Sequence, residues 1–197
     1  VDLYDSYPRE VAVFAGEYAA HTEDKENTLE SALAEAALLT GIEKNAGVVK
    51  LASYAPLFNR IGHSQWKPDM IWFDAENVYL TPNYYVQKLF ANHLGDYTVE
   101  MEGQEKALRA DGIYISVTRT GAGEVIVKAV NTNAQPYTLA LADEQGAKTE
   151  ADGKIWTLER AGEKPENMPE PSKVTENAVR IDGSVTLPAK SFSVIRY

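Results

Sequence analysis

Apolar residues run without a break over VAVFAG, residues 11–16, and the run ends at Glu17 and Tyr18. Continuous apolarity over so short a stretch predicts a strand buried on both faces, as in a parallel sheet. The next segment, HTEDKEN, mixes signs and reads as a solvated loop. A helix is predicted to start near Asn27, with Asn27 as N-cap and Glu30 three residues on, as in a capping box. Its body, TLESALAEAALLTGIEKN, is rich in the strong helix formers Ala, Leu and Glu, and Gly47 is the expected stop. VVKLASYA then reads as a second strand, closed by Pro56. The aromatic stretch LFNRIGHSQWKPDMIWFDAENVYL holds short strands around Met70 to Phe73. A second helix is predicted from Thr81, with Thr81 as cap and Pro82 in the first turn, running to a stop at Gly95. Strand, helix, strand, helix with short connections argues for two parallel βα units.

The period changes near Asp96. In IYISVTRT, Ile113, Ile115 and Val117 point one way, and Tyr114, Ser116 and Thr118 the other. GAGE makes a turn and EVIVKAVN returns, which predicts a hairpin. YTLALA, KIWTLE, AVRI, SVTL and SFSVIRY follow, separated by Gly, Pro, Asn and Asp. Many short alternating strands with turn signals predict an antiparallel sandwich. ENMPEPSKVTEN, with its prolines, is expected to be irregular. The fold class is therefore α+β, with residues 1–95 as a βα part and 96–197 as an all-β part. Two βα units cannot close a barrel or cover their own sheet edges. The βα part is expected to be poorly ordered, repacked or sealed by a neighbouring chain, which leaves a homo-oligomer open.

Composition narrows the chemistry. The 197 residues are 44% hydrophobic, enough for a sizeable core. A net charge of −10 disfavours nucleic acid and anionic membrane surfaces as partners. No cysteine is present, so disulfides and thiolate metal sites are excluded. No apolar run approaches the roughly 20 residues of a membrane span. VDLYDSYPRE has neither the basic start nor the apolar centre of a signal peptide, and the chain reads as beginning inside a fold. There is no phosphate-binding Gly loop and no Gly-x-Ser-x-Gly turn. Asp69, Asp74 and Glu76 lack the spacing of a metal site, so no metal and no cofactor is expected.

Glu17 leads the candidates for catalysis, because strand ends carry the functional residues of βα barrels. A carboxylate there serves as a nucleophile, or stands as an ordinary surface charge. Asn59, His63 and Trp66, in the loop after the second strand, are placed to face the same open end. Trp66 offers a flat ring to sugar C–H groups, or packs on Trp72 or the sandwich. His63 is either a proton carrier or an exposed loop histidine. Tyr18 orients the nucleophile by a hydrogen bond, or fills the wall.

VFAGEYAAH, LAEAALLTGIEKNAGVVKLASYAPLFN, DMIWFD and LTPNYYVQKLFANHLGD form an ordered set over residues 13–96. Together they resemble the C-terminal half of the family 51 α-L-arabinofuranosidases, and a weaker likeness continues to LPAKSFSVIRY. The resemblance implies the last two βα units of a (β/α)8 barrel, followed by a jelly-roll-like sandwich. It implies that Glu17 matches the nucleophile of a retaining mechanism. By their placement, Tyr18, Asn59, His63 and Trp66 are the expected substrate-binding residues. The substrate would be a terminal α-L-arabinofuranosyl residue of a plant oligo- or polysaccharide, and the expected location extracellular or periplasmic. The family's acid/base is a Glu in an Asn-Glu pair after the fourth strand. Only sixteen residues precede Glu17, and Glu26-Asn27 has the reverse order, so the chain alone is expected to be inert. A non-catalytic structural or carbohydrate-binding domain is the rival reading. A glycosidase acting on xylosides or glucans is another.

Overall fold

The computed structural model describes residues 1–101, 103–143 and 145–197. Strand β1 (Val13–Tyr18) leads through a loop to helix α1 (Leu29–Lys44), which returns to β2 (Val49–Tyr54). β1 and β2 pair in parallel, as a β–α–β unit requires. Three short strands follow, β3 (Phe58–Arg60), β4 (Ile71–Phe73) and β5 (Val78–Leu80). β4 is central, parallel to β3 and antiparallel to β5. Helix α2 (Pro82–Asn92) closes the first part. The second part comprises β6 (Tyr97–Thr98), α3 (Gln104–Ala110), β7 (Ile113–Arg119), β8 (Val125–Asn131), β9 (Tyr137–Ala140), β10 (Glu150–Arg160), β11 (Ser172–Asp182), β12 (Ser184–Leu187) and β13 (Ser191–Arg196).

Several boundaries differ from the sequence reading. Helix α1 is capped by Thr28, not Asn27, and its capping box closes on Ser31, not Glu30. The Asn27 side chain is occupied elsewhere, in hydrogen bonds to Tyr54 and Asn83. The helix ends at Lys44 with Asn45 as C-cap, ahead of Gly47. Helix α2 has the predicted Thr81 cap and Pro82 entry, but stops at Asn92 rather than Gly95. Half of the stretch expected to be irregular, from Ser172 on, is strand β11, which pairs with β10 along its whole length. Long-range pairing there outweighs the local proline signal. Helix α3 interrupts a half of the chain read as all-β.

Among the described residues, the antiparallel part is lopsided. Six strands form one sheet in the order β11-β10-β13-β8-β7-β6, and β12 and β9 form a separate pair. The large sheet is covered on both faces. Ile113, Ile115, Val127, Ala129 and Ile195 pack against Leu139, Val185 and Leu187 of the β9–β12 pair. Ile126, Val130, Leu158, Phe192 and Val194 pack instead against α1 and α2, through Leu29, Ala32, Leu33, Ala36, Leu39, Val86 and Leu89. The alternation along β7 and β8 thus serves two cores, and the second crosses residue 96. Burying Leu29, Leu33 and Leu39 in it stabilises the docking by about 1.5–3 kcal/mol per side chain.

Phe14 and Leu51, register partners on β1 and β2, remain 61% and 63% exposed. No helix among the described residues is long and apolar enough to cross a membrane.

Candidate functional site

Glu17 lies in an irregularity of the parallel pair. Ala15 is in register with Ala52 and Tyr18 with Tyr54, so three steps along β1 match two along β2, and the excess falls at Gly16 and Glu17. Such a bulge bends the strand and re-aims its side chains. It is braced by the Ser53 hydroxyl, which donates to the Gly16 carbonyl at 2.6 Å, and by the Ala55 amide, which donates to the Tyr18 carbonyl at 3.2 Å. The Glu17 carboxylate is exposed and makes no side-chain hydrogen bond or ion pair among the described residues.

Tyr18 points the other way. Its ring meets Tyr54 edge to face at 6.1 Å, and its hydroxyl donates to Gln87 Oε1 at 3.0 Å. Burial, with the nearby charge of Glu35, pushes its phenol up to about 12 and keeps it protonated.

Beneath the strand end lies a buried polar network that the sequence reading missed. Glu35 is fully buried on α1 and accepts from Asn83 Nδ2 at 2.8 Å and Gln87 Nε2 at 2.6 Å. Burial pushes its carboxyl up to about 7, while these bonds and the Ala20 backbone amide hold it down. Asn27 is the hub. Its Nδ2 donates to the Tyr54 hydroxyl at 3.1 Å and to Asn83 Oδ1 at 3.0 Å, and its Oδ1 accepts from the Asp69 amide at 3.0 Å. Asp69 is also buried, and its carboxyl is pushed up to about 6 by burial, against the pull of Lys67. The available signal was Glu35 itself, a carboxylate set among Ala32, Leu33, Ala36 and Leu39 on the packed side of α1.

The HTEDKEN loop is less solvated than its composition predicts. Glu26 pairs with Lys67 at 2.5 Å and Lys164 at 3.3 Å, so three loops converge on one carboxylate. Glu170, from the β10–β11 connection, accepts from the Leu29 amide and from Arg160 at 2.6 Å. A loop of the antiparallel part thereby reaches the first turn of α1.

The other predicted residues separate. Asn59 is buried on β3, where its Oδ1 accepts from the Ser64 hydroxyl at 2.5 Å and its Nδ2 has no partner among the described residues. His63 is exposed, its amide donating to the Arg60 carbonyl at 2.9 Å. Trp66 is 61% exposed, and the Lys25 ammonium lies 5.2 Å from its ring centre. Lys25 belongs to the loop that follows Glu17, so Trp66 and the β1–α1 loop adjoin. The hydrogen bonds of Asn59 and His63 stay within β3 and the loop that follows it, and Asn59 faces Trp72 across the β3–β4 pair. No group of three or more His, Asp or Glu among the described residues is placed to hold a metal ion.

The family model described as the α-L-arabinofuranosidase C-terminal domain matches residues 7–191. The extracellular exo-α-L-arabinofuranosidase of Streptomyces chartreusis is 50% identical over 166 residues, 82% of this chain and 19% of that protein. α-L-Arabinofuranosidase 2 of Arabidopsis thaliana is 36% identical over 141 residues, 71% of this chain and 21% of that protein. The chain thus spans about a fifth of the length of these relatives. An arabinose-bound GH51 α-L-arabinofuranosidase superimposes with a TM-score of 0.80 and 27% identity, over 98% of this chain and 33% of that one. By this match over nearly its whole length, the chain belongs to the α-L-arabinofuranosidase C-terminal domain family.

Proposed function

We propose that this chain is the C-terminal portion of a retaining α-L-arabinofuranosidase and that Glu17 is its nucleophile. The observation that carries the assignment is an exposed carboxylate on a braced bulge at the end of a parallel strand. In double displacement, Glu17 attacks the anomeric carbon, the glycosidic C–O bond breaks, and a second carboxylic acid gives its proton to the leaving oxygen. Water then attacks the glycosyl-enzyme, with the second carboxylate taking its proton, and Glu17 is released. The two carboxyl groups of a retaining enzyme stand about 5–5.5 Å apart. Here the partner would come from a segment outside this chain, so the chain alone is inert. Trp66 would stack on the sugar, and Tyr18 would set the strand end. Asn59 and His63 would line the rim.

Residues 1–95 would complete a barrel and residues 96–197 would buttress it as a jelly-roll-like domain. The exposed Phe14 and Leu51 support this, since another barrel strand or its contents would cover them. The shared core across residue 96 supports the buttress. The substrate would be an arabinofuranosyl oligo- or polysaccharide met outside the cell, in line with the extracellular Streptomyces relative.

Replacing Glu17 with Gly in the full-length enzyme tests the assignment. Turnover of an aryl arabinofuranoside should be lost, and added azide should restore it with an inverted glycosyl azide as product. Retained turnover without azide would refute the role. The 197-residue chain by itself should give no turnover.

A further inference from the structure

We propose that Glu35 is a positioning residue, which holds the nucleophile-bearing segment through Gln87 and the Tyr18 hydroxyl. The inference rests on the reading of Glu17 as nucleophile. Glu35 reaches that segment through the chain Glu35–Gln87–Tyr18, with links of 2.6 and 3.0 Å, ending one residue past Glu17. A carboxylate otherwise has little reason to sit fully buried on an Ala- and Leu-rich helix face without a cation. The groups acting on it among the described residues are Tyr18 on β1, Tyr54 on β2, the neutral amides of Asn83 and Gln87 on α2, and the Ala20 amide.

The network also has a direction. Both amides donate to Glu35, which is the arrangement of the ionised form. The Asn83 side cannot reverse cheaply, because Asn83 Oδ1 already accepts from Asn27 at 3.0 Å and from Ser31 at 3.3 Å. The Gln87 side can. Among the described residues its Oε1 accepts from Tyr18 alone, and a hydroxyl both donates and accepts. A proton on Glu35 Oε1 therefore turns the Gln87 amide, and the Tyr18 hydroxyl must then accept. The state of a buried acid is thereby read out at the strand end.

The test uses the full-length enzyme with Glu35→Gln, Tyr18→Phe, the double variant and Glu17→Gln. Glu35→Gln keeps the volume and one acceptor, and Tyr18→Phe removes only the far end of the relay. Each should lower kcat about tenfold with KM within about twofold. The double variant should be no worse than the poorer single, because the two act in one chain. Wild-type kcat should also fall as pH drops through the titration of Glu35, a step that Glu35→Gln should lack. Wild-type kcat in Glu35→Gln, additive losses in the double variant, or an unchanged pH profile would each overturn the positioning role. Wild-type turnover in Glu17→Gln would instead overturn the nucleophile reading beneath it.

Discussion

Lys128, on a central strand of the large sheet, is paired with Glu43 on helix α1, fully buried and with the Phe90 ring 5.1 Å from its ammonium. The Ser116 hydroxyl donates to the same carboxylate at 2.5 Å. The pair joins the two parts of the chain at their shared core. Burial pulls the Lys128 ammonium below its ordinary range, and the Glu43 charge works against that. Removing one member of a buried pair costs about 3–5 kcal/mol, because the other charge is left unpaired. Glu43→Ala strands the fully buried member. Lys128→Met strands a carboxylate at the edge, with Ser116 still bonded to it. Glu43→Ala should therefore lower stability by about 3–5 kcal/mol, and Lys128→Met by clearly less, in chemical denaturation of the same protein. The reverse order would contradict this description of the interface.

Glu35 sets a pH dependence of stability. Its carboxyl titrates near 4.5 when unfolded and is pushed up to about 7 when folded. The folded state binds the proton more tightly, so the contribution is fully present below about 4.5 and lost as pH rises through 7. A shift of that size corresponds to about 3 kcal/mol. Asp69 acts in the same sense, completing its loss near pH 6. His93, pulled down by burial, acts in the opposite sense, gaining as pH rises toward its ordinary value. The comparison of variants isolates Glu35. Between pH 5 and 8 the wild type should lose more stability than Glu35→Gln, and parallel curves would refute the linkage.

Asn27 fills three hydrogen-bonding roles at once from a fully buried position. Asn27→Ala leaves the Asp69 amide without its acceptor and removes a donor from both Asn83 and Tyr54. Each buried group left unsatisfied costs about 1–3 kcal/mol, so a loss of roughly 3 kcal/mol or more is expected. Calorimetry checks it. A loss below about 1 kcal/mol would mean that the network is loosely held.

Much of this was readable beforehand. The hairpin of residues 113–131 follows from strict alternation around GAGE, and α2 from Thr81 and Pro82. Glu17 was legible as a strand-end carboxylate. The bulge that presents it was not, because register is set by β2 and by Ser53, a partner 37 residues away. Asn27 reads locally as a cap, and only tertiary contact with Tyr54 and Asn83 explains why Thr28 takes that place. Strand β11 was foreseen only over AVRI, and its first half was hidden behind the prolines that lie just before it. The large sheet's second covered face was hidden too, since alternation alone does not say whether the outward side chains meet water or helices.

Trp66 is exposed and braced chiefly by Lys25. Trp66→Ala should leave stability within about 0.5 kcal/mol, as for other surface changes. If the ring is a sugar platform, KM of the full-length enzyme for arabino-oligosaccharides should rise several-fold. An unchanged KM would remove Trp66 from the site.

The most direct measurement is covalent. The full-length enzyme is treated with a mechanism-based arabinofuranoside inactivator, digested, and its labelled peptide sequenced by mass spectrometry. The label is expected on Glu17, in the peptide that carries VFAGEYAAH. A label on any other carboxylate, with Glu17 unmodified in the inactivated enzyme, would contradict its assignment as the nucleophile.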